Sequence, residues 1–196
     1  KEEEVKFQNG NLTIAGTLVL PNTKAPHPVV VLVHGSTPLA RYYYGADPYL
    51  YPALGVAVLF YDKRGVYQST GETTDSIEDL AADALAGVEY LKTRREIDPQ
   101  KIGLHGHSQG GWVVPEAASR SKDVAFIIAG AASGWDTFKN GEYEVMNNAA
   151  DANLSHAEIE QTVALYKLGN KAILANGEGW NDWRSAIIKA KDEKWF

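Results

Sequence analysis

Five consecutive residues, Gly106-His107-Ser108-Gln109-Gly110, place a hydroxyl nucleophile between two glycines. Glycine on either side lets the backbone turn sharply enough to push the serine outward, as in a nucleophile elbow. The pattern alone is weak, since it arises by chance in roughly one in fifteen chains of this length. Its flanks strengthen it: Lys101-Ile102-Gly103-Leu104-His105 reads as a short buried strand, and Gly111 to Ser119 as the start of a helix. A serine is a poor nucleophile unaided, so acyl transfer also needs a base, a group that orients the base, and donors for the oxyanion. The backbone N–H of Gln109, at the start of that helix, is one candidate donor. The N–H of Ser36 is the second, because His34-Gly35-Ser36 follows an apolar run and Gly35 allows close backbone approach. Such a donor is typically worth about 10²–10³ in rate.

The remaining chemistry-bearing residues read as structural. His105 and His107 flank the elbow too closely to reach over Ser108 from the opposite side. His156 falls in a capping segment facing solvent, His27 precedes Pro28 at a strand entry, and neither has a supporting acid at a telling spacing. His34 ends a strand and is expected to bond neighbouring loops. Asp62-Lys63-Arg64-Gly65 follows a strand, and its charges read as loop-pinning ion pairs ahead of substrate contacts. Tyr42-Tyr43-Tyr44 with Trp112 suits an acyl pocket and plain packing equally. No His/Asp/Glu spacing suggests a metal site, and no cofactor is expected.

These residues need elements to hold them. Val5-Lys6-Phe7 and Leu12 to Leu20 predict an antiparallel hairpin turning at Asn9-Gly10. Pro28 to Val33, Val56 to Tyr61 and Val124 to Ala129 are continuous apolar runs, the signature of strands buried on both faces. Between Asp75 and Arg94 apolar residues recur at helical spacing, with Asp75 as expected N-cap, and Asp98-Pro99 closes that unit. Alternation of this kind predicts an α/β fold with a mostly parallel sheet and helices on both faces. From Trp135 onward no strand is evident. Ser155-His156-Ala157-Glu158 predicts a capping box opening a helix to about Ala175, and Asn176-Gly177-Glu178-Gly179 separates it from a second helix over Asn181 to Lys194. The predicted division is a core over 1–134 and a helical segment over 135–196.

With 196 residues, 44% hydrophobic and 22% charged, the chain can bury a sizeable core. A formal charge of −6 without a Lys/Arg cluster argues against nucleic acid and anionic membrane as partners. The absence of cysteine excludes a disulfide framework, a thiol nucleophile and a cysteine zinc site, and fits both cytoplasmic and exported compartments. No apolar run reaches the roughly 18 residues of a membrane span, so a soluble protein is expected. The chain starts at Lys1 with its single methionine at 146, which suggests that something upstream was removed.

His34-Gly35-Ser36, the segment Tyr61-Asp62-Lys63-Arg64-Gly65-Val66 leading to Gln68-Ser69-Thr70-Gly71-Glu72, and Gly106 to Gly111 together resemble the α/β-hydrolase superfamily. Within it they are most similar to bacterial acyl esterases and serine-aminopeptidase-like hydrolases with a helical cap. Tyr67 and Thr37 stand where relatives often carry glycine, departures expected to narrow the mouth of the site. The resemblance implies a serine hydrolase of carboxylic esters with Ser108 as nucleophile and Ser36 and Gln109 as oxyanion donors. It also implies an Asp or Glu and then a His following further strands beyond the cap, whereas Phe196 falls inside it. The expected partners are therefore a small-molecule ester and a second stretch of polypeptide that completes both sheet and triad. The strand at 124–129 would otherwise be an unpaired apolar edge. The rival expectation is a non-catalytic binding module of the same fold; a peptidase or thioesterase is the alternative within the enzyme class.

Overall fold

A computed structural model describes residues 1–132 and 134–196. Ser133, inside the expected 1–134 core, lies outside the described residues. The chain forms two compact units, one over Lys1–Ala132 and one from there to Phe196.

The first unit is built on six strands: β1 (Glu2–Asn9), β2 (Leu12–Val19), β3 (His27–Val33), β4 (Ala57–Tyr61), β5 (Ile97–His107) and β6 (Phe126–Gly130). Their spatial order is β1-β2-β4-β3-β5-β6. The opening hairpin is antiparallel and turns at Gly10, whose φ of 55° suits glycine. β2 meets β4 antiparallel, and β3 to β6 run parallel to one another. Three helical segments complete the unit: α1 (Leu50–Ala53), preceded by two 3₁₀ turns at Arg41–Tyr44 and Asp47–Tyr49, then α2 (Ile77–Lys92) and α3 (Gln109–Arg120).

Side-chain alternation in the strands sorts the apolar residues onto two faces. Val29, Val31, Val33, Leu59 and Leu104 pack with Leu80, Ala84, Val88 and Leu91 of α2 and Val113, Val114 and Ala117 of α3. Val30, Leu32, Val58 and Phe60 form a smaller cluster on the other face, covered by Tyr44 and Tyr51. β6 is the exception to buried strands: it lies at the sheet's edge, with Phe126, Ile127 and Ile128 exposed at 41%, 38% and 42%.

Local details correct the sequence reading in three places. The N-cap of α2 is Ser76, not Asp75, because the Ser76 hydroxyl accepts the Asp79 N–H. Asp98 and Pro99 belong to β5, where a register shift opposite β3 absorbs a residue pair unsuited to a regular ladder. In the second unit, α4 (Thr137–Asp151) precedes the expected pair α5 (His156–Leu174) and α6 (Trp180–Ala190). α4 leaves little mark on the sequence because Gly141, Asn147 and Asn148 dilute its helical pattern and Ala149 is its one buried residue. The Ser155–Glu158 capping box is present as expected, and Gly169 lets Trp183 of α6 approach the α5 backbone. No helix among the described residues is long and apolar enough to cross a membrane.

One buried carboxylate ties the first unit together. Asp83 of α2 is fully buried and accepts hydrogen bonds from Asn9 Nδ2 at 2.7 Å, Arg64 Nε at 2.7 Å and Arg64 Nη2 at 3.0 Å. It links the hairpin turn, the loop after β4 and the helix that covers them. Removing one partner of such a pair strands a charge in the interior. Arg64→Met is therefore expected to destabilise the unit by about 3–5 kcal/mol in urea unfolding; a change under about 1 kcal/mol would contradict this account.

Candidate active site

The parallel strands β3, β4 and β5 deliver the chain to the same edge of the sheet. β5 ends at His107, α3 begins at Gln109, and Ser108 is the whole of the turn between them. Its backbone sits at φ 56° and ψ −123°, a conformation that costs an L-residue free energy and must be imposed by its surroundings. The surroundings do so at close range. The Ser108 N–H donates to Gly130 O at 2.9 Å and the Gly111 N–H to Ser108 O at 2.8 Å. A Cβ on Gly106 would lie 1.9 Å from Gly110 O, and one on Gly110 would lie 2.4 Å from Val33 O. The two glycines of the motif are thus required by contact between strand and helix.

The loop after β3 lies against this turn. A Cβ on Gly35 would fall 3.5 Å from Ser108 Cβ and 4.0 Å from Ser108 Oγ, which puts the Gly35–Ser36 peptide beside the hydroxyl. Gln109, as the first residue of α3, has no intrahelical acceptor for its own N–H. Ser36 is therefore brought, from far away in sequence, to the adjacent pair Ser108 and Gln109. Thr37 and Tyr67 both adopt positive φ, 72° and 50°. Their departure from glycine thus bears on the backbone: each holds a conformation that glycine adopts at little cost.

Loop pinning accounts for all three charges of the segment after β4. Asp62 is fully buried, accepts from Arg41 N at 2.8 Å and Arg41 Nη1 at 2.9 Å, and so anchors the turn at Arg41–Tyr44. Arg41 also pairs with Glu4 of β1. Arg64 serves Asp83. Lys63 differs from what sequence suggested, because its ammonium is held by neutral oxygens: Gly35 O at 2.9 Å, Thr37 O at 3.1 Å and Gln109 Oε1 at 3.0 Å. Burial pushes it below its ordinary pKa, against the pull of Asp75. Gln109 is clamped from the other side by Asp75, whose Oδ1 accepts from its Nε2 at 3.3 Å. The signal that could have singled out Lys63 is its place directly after a buried strand, where a lysine cannot reach water easily.

Four of the five histidines are engaged elsewhere. His34 is buried, its Nε2–H donates to Tyr61 O at 2.5 Å, and its ring stacks on Tyr44 at 4.5 Å. His27 contacts Thr23 Oγ1 at 3.4 Å, His105 Nδ1 is hydrogen bonded to Tyr51 OH at 2.5 Å, and His156 faces Glu160 at 3.3 Å. Burial, with His107 nearby, lowers the pKa of His105. His107 directly precedes Ser108 and lines a cleft of about 720 Å³ together with Leu32, Gly35, Tyr44, Leu54 and His105. Tyr43 and Tyr44 belong to the described lining of that cleft; Tyr42, stacked on Tyr43, and Trp112 do not. Among the described residues no group of three or more His, Cys, Asp or Glu could hold a metal.

A serine forced out of a strand-to-helix turn, beside a loop from a neighbouring parallel strand, is the arrangement of an α/β hydrolase. The chain belongs to the alpha/beta hydrolase family, whose family model matches residues 30–193. It is 29% identical over 180 residues to esterase EstD of Thermotoga maritima, covering 85% of this chain and 42% of that protein. It is 27% identical over 128 residues to the quorum-quenching protein AidA of Acinetobacter baumannii, covering 64% and 42%. Among solved structures, Est1E of Butyrivibrio proteoclasticus, bound to ferulic acid, superposes with a TM-score of 0.54 at 25% identity over 64% of this chain and 51% of that one. The Pyrococcus furiosus esterase Pf2001 shares the fold at 23% identity with a TM-score of 0.55, covering 66% of this chain and 50% of that one. The chain thus spans less than half the length of the curated relatives named here. The family is one of hydrolases, and esterases are among the chain's relatives.

The buried His34 sets a pH dependence on the unit that carries the site. Desolvation lowers its pKa from 6.5 to about 4, so the folded state holds the neutral ring. The unfolded chain takes up a proton first as pH falls through 6.5. This contribution is complete above that value and is lost between 6.5 and 4, amounting to at most about 3 kcal/mol. His34→Gln is expected to flatten the loss of stability across that window in urea titrations; an unchanged slope would show that His34 does not carry it.

Proposed function

We propose that this chain supplies the nucleophile and oxyanion donors of a serine hydrolase that cleaves carboxylic esters. Ser108 Oγ gives its proton to the base as it attacks the ester carbonyl, and the Ser36 and Gln109 N–H groups receive the oxyanion. The ester C–O bond breaks so that the alcohol leaves with that proton and an acyl-enzyme remains, and water then hydrolyses the acyl-enzyme to the free acid and serine. The observation that carries this reading is the imposed φ of 56° at Ser108, held against the loop of Gly35 by contacts that leave no room for a side chain at Gly106 or Gly110. Strain of this kind persists where the fold over-determines it, and it presents the hydroxyl at the sheet's edge.

The orienting acid and the base belong, in this proposal, to polypeptide beyond the described residues. Four of the five histidines are bonded elsewhere, and Asp62, Asp75 and Asp83 are committed to Arg41, Gln109 and Arg64. The sheet supports the same conclusion. Leu32, His105 and Ile128 are register neighbours, and so are Val30, Gly103 and Phe126, so the lining of the cleft continues onto the exposed apolar face of β6. An edge strand of this character calls for a pairing strand and a covering element.

Hydrolysis of p-nitrophenyl butyrate tests both parts. In the native protein containing this chain, Ser108→Ala is expected to lower kcat by at least about 10³-fold. Residues 1–196 alone are expected to be slower than the native protein by a comparable factor. Retention of activity in Ser108→Ala would remove the nucleophile assignment, and full activity of residues 1–196 alone would place the base within them.

A further inference from the structure

Lys63 is a buried cation, 5% exposed, with no carboxylate within ion-pair distance among the described residues. Keeping an ammonium out of water is costly unless each of its hydrogens is bonded. Here all three donors are used, on Gly35 O, Thr37 O and Gln109 Oε1. These acceptors belong to the two segments that meet at Ser108.

The first contact has a geometric corollary. The C=O of Gly35 and the N–H of Ser36 are parts of one peptide group, which is planar and trans, so they point in opposite directions. Holding Gly35 O toward Lys63 therefore fixes the direction of the Ser36 N–H. The second contact holds Thr37, whose positive φ of 72° is unfavourable for a β-branched residue without such support. The third reaches the residue after the nucleophile, clamping the Gln109 side chain between Lys63 and Asp75. The charge also polarises the Gly35–Ser36 peptide, which strengthens its N–H as a donor to a developing oxyanion.

We propose that Lys63 is the positioning residue of the oxyanion site, one ammonium that sets the Ser36 N–H and braces Gln109 against it. The proposal rests on the reading of Ser108 as the nucleophile of acyl transfer. Lys63 touches neither substrate nor hydroxyl; it acts through the peptides it holds. Its effect therefore belongs to the transition state, where charge appears on oxygen, and leaves ground-state binding of the ester nearly unchanged.

The test uses the native protein with Lys63→Met, which keeps an unbranched side chain of nearly the same length and loses charge and donors, and Lys63→Arg, which keeps both. Lys63→Met is expected to lower kcat for p-nitrophenyl butyrate by about 10²-fold while KM stays within about threefold. Affinity for an alkyl trifluoromethyl ketone, which forms the tetrahedral adduct, should fall by the same factor, and Lys63→Arg should recover part of both. Lys63→Gln guards against loss of fold: in it, hydrogen exchange at the Ser36 amide should rise while the strand amides of β3 and β5 keep their protection. A Lys63→Met enzyme with kcat near wild type, a kcat loss without loss of ketone affinity, or unchanged Ser36 exchange would overturn the proposal. Failure of the parent reading looks different, since there Ser108→Ala itself would remain active.

Discussion

The close contact between the end of β5 and the start of α3 is the constraint on which the rest of the first unit depends. Gly106 and Gly110 touch so tightly that a single methyl group at either position would overlap backbone carbonyl atoms. With strand and helix locked at that distance, Ser108 has to span the gap at positive φ, and its N–H has to find Gly130 at the end of β6. The parallel pairing of β3 with β5 then brings the Gly35 loop alongside. Position, strain and neighbours of the hydroxyl all descend from one packing distance.

Around that contact, charge is used to fix loops. Asp62 with Arg41, and Arg64 with Asp83, are buried ion pairs that tie the segment after β4 to the turn at Arg41–Tyr44 and to α2. Lys63 lies between them and bonds to carbonyl oxygens. A buried pair adds little net stability over an apolar substitute, yet losing one partner is severe, so such pairs act chiefly to hold a single arrangement. That suits the proposed oxyanion site, because donors aimed before the reaction cost no reorganisation during it.

Much of this was legible in the sequence, for identifiable reasons. Continuous apolar runs located β3 and β4, and Asn9-Gly10 located the hairpin turn, because burial on both faces and a positive φ each leave a distinct mark on residue choice. The motif 106–110 pointed to the strand-to-helix turn because its glycines are needed sterically. Other features left fainter marks. α4 is held by packing of a weakly patterned stretch, the N-cap choice between Asp75 and Ser76 turns on one hydrogen bond, and the contacts of Lys63 join residues 28 and 46 positions away. No spacing rule reveals an interaction set by where three loops converge.

The second unit, three helices with its own capping box and small-residue contacts, is built by local rules. The central claim concerns the first: that the strained serine is the nucleophile. Its most direct measurement is peptide mapping by mass spectrometry after the native protein reacts with a fluorophosphonate. The account predicts one phosphonylated peptide, with the adduct on Ser108 and none after denaturation before labelling. An unmodified Ser108 under conditions that fully label a control esterase, or an adduct on a different serine, would contradict it.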